Sequence, residues 1–140
     1  MFQAAAATLR ELAKNPEYVG SSRLGFTGVL HTWGRTLSYN PHLHFIVPGR
    51  ALSEDGQEWL PSRVDFFVPV RAASLIYRAK FLELMASAGL LDQVPQAARE
   101  KSWVVHILAS AYPRRDHNFR TTFEAQYRPR RLASPGFHAD

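Results

Sequence analysis

Apolar positions recur along this chain with two periods, and the switches between them mark out the elements. Over residues 3–14, Ala6, Leu9, Leu12 and Ala13 fall close to one face of a helix, and Asn15-Pro16 supplies its stop. After a polar loop through Gly20-Ser21-Ser22 the period drops to two. GFTGVLHTW (25–33) divides into Phe26, Gly28, Leu30 and Thr32 on one face and Thr27, Val29, His31 and Trp33 on the other. A polar connection, residues 34–41, leads to HLHFIVP (42–48), and the two runs suit an antiparallel hairpin with a longer loop. Within ALSEDGQEW (51–59), Asp55-Gly56 is a turn signal between short extended pieces. VDFFVPV (64–70) is a further strand candidate whose Pro69 confines its end to an edge.

RAASLIYRAKFLELMASAG (71–89) is the clearest helix. Leu75, Ile76, Ala79, Leu82 and Met85 or Ala86 form the expected stripe, and Gly89 a stop. A short helical piece, Gln96 to Lys101, precedes the apolar strand candidate SWVVHIL (102–108). From Tyr112 onward no period of 3.6 or 2 is sustained, and six arginines and three prolines crowd the last 29 residues. The order of elements predicts an α+β fold in which helices pack on one face of an antiparallel sheet.

At 140 residues and 46% apolar content the chain is one domain with a real core. No apolar run approaches the roughly 20 residues of a membrane span, and MFQAAAATLRELAK reads as an amphipathic helix, not a secretory signal. Cysteine is absent, which excludes a disulfide framework and a thiolate zinc site. A cytoplasmic protein without membrane partners is expected. The net charge is +5, and the excess sits late: residues 66–140 carry eleven Lys/Arg against six Asp/Glu, residues 1–65 six against six. Such an imbalance suits an anionic partner such as nucleic acid, or simply a solvated basic surface.

The motif that carries chemistry is HLH, residues 42–44. In a strand His42 and His44 share a face, while Leu43 and Phe45 take the other. Such a pair can hold one divalent cation with a third ligand, sit in the sheet unliganded, or act as a general acid/base pair. His31, on the neighbouring strand, is the candidate third ligand if its face is the one bearing His42 and His44; otherwise it is a hydrogen-bonded sheet residue. Trp33, Arg35 and Tyr39 enter the motif strand and could stack on unpaired bases or contact phosphates, or could serve only as hairpin packing and solvated surface. Arg63, Arg71, Arg78 and Lys80 have the same two readings.

The stretch VLHTWGRTLSYNPHLHFIVPGRALSEDGQEWLPS (29–62) resembles the core signature of the HUH (His-hydrophobic-His) endonucleases, and more closely the two-tyrosine rolling-circle transposases of bacterial insertion sequences. The likeness takes in FQAAAATLRELAKNP, LGFTGVLHTWGRTL, NPHLHFIVPG, LPSRVDFFVPVRA, KFLELM, AGLLDQVP and KSWVV, and so covers roughly residues 2–105. It implies an antiparallel sheet with helices behind it, and His42 and His44 holding Mg²⁺ or Mn²⁺ on the open face. The implied activity is nicking and joining of single-stranded DNA through a 5′-phosphotyrosine link. Relatives often have His in place of Asn40 and Gly in place of Arg50, and neither change removes an implied ligand.

One part of the family pattern is missing. The strand matching SWVV is followed in relatives by a helix with two tyrosines four positions apart, in a YLAPY-like motif. Here Tyr112 and Tyr127 are fifteen apart, and Pro113 would break a helix at Tyr112. Either could replace the nucleophile only if its oxygen were closely placed. The expectation is a truncated transposase: a partial catalytic core over 2–105, then a divergent basic tail over 106–140, disordered or read from a shifted frame. It would then be inactive in cutting, the alternatives being a nucleic-acid-binding module that never cuts and an inert, unstable fragment.

Overall fold

Helix α1 occupies Phe2–Ala13 in a computed structural model that describes residues 1–33, 39–63, 68–100, 103–110 and 120–126. Its buried face is Ala4, Ala5, Thr8, Leu9, Leu12 and Ala13, turned slightly from the expected stripe so that Ala6 lies at the margin. Thr8 tolerates burial because its hydroxyl donates to the Ala4 carbonyl at 2.8 Å.

The expected hairpin follows as β1 (Thr27–Trp33) and β2 (Tyr39–Pro48), paired antiparallel with Leu30 opposite Leu43 and His31 opposite His42. Strand β2 starts earlier than its apolar run suggested, because Tyr39 pairs with Trp33. Two short strands, β3 (Arg50–Leu52) and β4 (Trp59–Pro61), make a separate hairpin around Asp55-Gly56, where Gly56 takes φ 79°. Strands β5 (Val104–Ser110) and β6 (Arg120–Gln126) complete a four-stranded antiparallel sheet in the order β1-β2-β6-β5. No strand was expected at β6. Thr121, Thr122 and Phe123 favour extended chain, but Arg, Glu and Gln around them hide the alternation. Its insertion beside β2 makes β2 a central strand, hydrogen-bonded on both sides.

Helix α2 (Val70–Ser87) corrects two expectations. Pro69 is its N-cap, with φ −70° and ψ 120°, and its carbonyl accepts the Ala73 N–H at 2.9 Å, so Val70 opens a helix and does not end a strand. Residues 64–67 of that strand candidate lie outside the described residues. The inward face of α2 is Ala73 and Tyr77, flanked by Ile76, Phe81, Leu82 and Met85, while Leu75 is 59% exposed and Ala79 is exposed too. An aromatic cluster decides this rotation: Trp103 lies 5.4 Å from the Tyr77 ring and 4.9 Å from the Phe81 ring. The stop at Gly89 is as expected. Gly89 has φ 68°, its N–H donates to Ala86, and the Leu90 N–H donates to Met85 at 2.8 Å, closing the last turn. A 3-10 turn (Leu91–Gln93) and α3 (Gln96–Glu100) lead back to the sheet. The Trp103 indole N–H donates to the Ala98 carbonyl, which ties that residue to α3, and β5 begins only at Val104.

The chain is thus a small α+β domain with helices on one face of an antiparallel sheet. Leu43, Phe45 and Val47 of β2 are buried on that face, and the Phe45 ring meets Phe2 and Phe26 edge-on at 6.0 and 5.4 Å. On the other face Val29 and Ile46 are each 51% exposed. Among the described residues no helix is long and apolar enough to cross a membrane.

Gly28, opposite Phe45 in the register, is what lets β1 lie against that ring; a Cβ built there would sit 2.6 Å from Phe45 Cε1. Gly28→Ala is therefore expected to destabilise the fold by about 1–3 kcal/mol, read as a lower melting temperature. An unchanged melting temperature would mean that Phe45 does not cover the hairpin.

Candidate metal centre

Strand alternation and register build this site between them. Because Leu43, Phe45 and Val47 are committed to the core, His42 and His44 must face the open side of the sheet. His31 stands directly opposite His42, and residues opposite one another in an antiparallel pair share a face. The three imidazoles converge, with ring centroids 5.4 Å apart for His31 and His42, 4.4 Å for His31 and His44, and 4.8 Å for His42 and His44. One ring nitrogen from each lies within 4.8 Å of the others. His42 is buried, His44 half-buried and His31 exposed, so the cluster opens to solvent on the β1 side. The sequence left the hairpin register open; the structure brings His31 to the pair.

A β-bulge orders the cluster. Asn40 and Pro41 together oppose Thr32, and Pro41, which has no N–H to lose from the ladder, suits that position. The Asn40 carbonyl oxygen lies 2.7 Å from His42 Nδ1. A carbonyl can only accept, so Nδ1 is the donor, and in the neutral ring this leaves the Nε2 lone pair for a cation. Sequence reasoning missed this backbone contribution, although a proline inside an otherwise regular strand was the signal for a bulge.

The bulge also restores direct pairing at Trp33 and Tyr39, which are 64% and 76% exposed beyond the His31–His42 pair. Arg35, Tyr112 and Tyr127 lie outside the described residues. Arg71, Arg78 and Lys80 are on α2, which packs on the face of the sheet opposite the histidines. The described tyrosines besides Tyr39 are elsewhere. Tyr18 packs at the core margin, and Tyr77 is buried within the core, its hydroxyl without a hydrogen-bond partner among the described residues and its pKa pushed up by burial.

A His-hydrophobic-His pair on the open face of an antiparallel sheet backed by helices defines an HUH-like domain. The model of the Y2_Tnp family, described as putative transposase, matches residues 25–119, and the chain belongs to that family. It is also similar to "Putative transposase y4qJ" of Sinorhizobium fredii (strain NBRC 101917 / NGR234), with 46% identity over 88 residues, which are 63% of this chain and 22% of that protein. The chain thus spans less than a quarter of that relative's length. No solved structure matches it.

Among the described side chains, three imidazoles form a nitrogen donor set that fits a first-row divalent ion, and Glu124 of β6 stands opposite His44 in the register. Mg²⁺, which prefers oxygen ligands, fits it less well. Mn²⁺ is therefore expected to raise the melting temperature more than Mg²⁺ at equal concentration, by the equivalent of about 2.7 kcal/mol at a hundredfold excess over its Kd. His42→Ala and His31→Ala should each remove most of that gain; an intact Mn²⁺ response in His31→Ala would restrict the donors to the β2 pair.

Proposed function

We propose that this chain binds single-stranded DNA and a divalent ion, Mn²⁺ or Mg²⁺, together on the open face of its sheet, as the metal-bearing part of an HUH-type transposase. The convergence of His31, His42 and His44 on that face carries the reading. In it, all three histidines are ligands and the scissile phosphate lies over them. A divalent ion held by these histidines would supply positive charge to the phosphate oxygens and orient them for in-line attack. The protein's own part is to hold the donors in place: β2, paired on both sides, fixes His42 and His44, and the Asn40 carbonyl fixes the His42 tautomer. The net charge of +5 supports an anionic partner.

The same proposal assigns these residues the binding of the phosphate and not the cut. No two tyrosines in the 140 residues are four apart, and the tyrosine on the histidine face among those described is Tyr39, on the motif strand itself. Residues 2–105 make up the metal-bearing core in this reading. Residues 106–140 are taken as its divergent part in this reading, although the family model matches as far as residue 119 and both the end of β5 and Arg120–Gln126 pair into the sheet.

The test is labelled single-stranded DNA from the ends of the encoding element, incubated with the chain and Mn²⁺. Retention on a native gel is expected, with loss on chelation and in the His42→Ala/His44→Ala double variant, and no covalent adduct on a denaturing gel. Salt-sensitive retention indifferent to chelator would instead describe a nucleic-acid-binding module that does not use the metal site. A slow-migrating adduct absent from the double variant would mean that the chain keeps a working nucleophile.

A further inference from the structure

Trp33 and Tyr39 present the most exposed large aromatic surface near the histidines. They are cross-strand partners, and the bulge at Asn40–Pro41 is what makes them so: without it Tyr39 would fall on the core face with Leu43 and Phe45. Aromatic pairs across a hairpin can stabilise it by burying one another, but here the indole stays 64% and the phenol 76% exposed. Val29 and Ile46, both half exposed, continue this apolar surface on the other side of the histidines, and β1 and β2 contain no acidic residue at all. The nearest carboxylate in the register is Glu124 of β6, opposite His44 and away from the Trp33–Tyr39 end, so an apolar, aromatic strip lies beside the metal centre and matches the flat π-face of a base.

We infer that Trp33 and Tyr39 form a stacking platform for an unpaired base of single-stranded DNA, next to the phosphate held at the histidines. This rests on the reading of the site proposed above and adds to it the contact that seats the strand. Trp33 lies two residues from His31 along β1, about 7 Å, which is comparable to the span from phosphate to base within one nucleotide. Stacking of this kind tolerates any base and requires that the base be unpaired, so the platform selects single strands over duplex without reading sequence.

Fluorescence anisotropy with a short labelled single-stranded oligonucleotide in Mn²⁺ tests it. Trp33→Ala and Tyr39→Ala are each expected to weaken binding about tenfold or more, while Trp33→Phe and Tyr39→Phe, which keep a ring, should stay within about threefold of the parent. An abasic strand of equal length should bind the parent and the Trp33→Ala/Tyr39→Ala variant alike, an equality that loss of hairpin packing would not produce. Melting temperatures of the variants should match the parent, since both side chains are exposed. If the parent binds with metal dependence but the alanine variants bind equally well, the platform is refuted and the metal-site reading stands. If the parent does not bind single strands at all, the reading of the site falls and the platform with it.

Discussion

The site depends on which face of β2 is committed to the core. Leu43, Phe45 and Val47 are buried under the helices, each worth about 1.5–3 kcal/mol in apolar surface removed from water. A slip of one residue would expose all three and drive His42 and His44 inward, so the register is held by several kilocalories. The face on which the histidines are presented is thus set by the anchoring of the residues between them. Gly28 extends the same constraint to β1, because only a residue without a side chain lets that strand pass against the Phe45 ring and bring His31 opposite His42.

Regular alternation fixes the face, and a local departure from it tunes the site. The bulge at Asn40–Pro41 interrupts the ladder and turns a backbone carbonyl to His42 Nδ1. It also returns Tyr39 to the histidine side. One irregularity therefore sets a tautomer and places an aromatic residue, both on the same rim of the cluster. The three donors differ in restraint: His42 and His44 belong to a central strand, whereas His31 sits exposed on the edge strand β1, where opening costs least.

Much of this was legible in the sequence, and what was not has identifiable causes. Period two around HLHFIVP gave the faces of β2, and the resemblance across residues 29–62 pointed to the family to which the chain belongs. The convergence of His31 needed the hairpin register, which hydrophobic pattern leaves open by a residue or two. The stripe of α2 was misplaced because Tyr77 and Phe81 pack with Trp103, a distant aromatic that periodicity within the helix cannot reveal. Strand β6 was hidden because its seven residues owe their conformation to partners on β2 and β5, ten or more residues away in sequence. Asn40's role rests on a backbone atom, which no side-chain motif records.

The most direct measurement of the central claim is a count of coordinating nitrogens by pulsed electron paramagnetic resonance of the Mn²⁺-loaded chain, with ¹⁵N-labelled histidine. The account requires three imidazole nitrogens on one ion, and two in His31→Ala. A manganese signal without histidine nitrogens would contradict it, placing the ion elsewhere and leaving the cluster a solvated feature of the sheet.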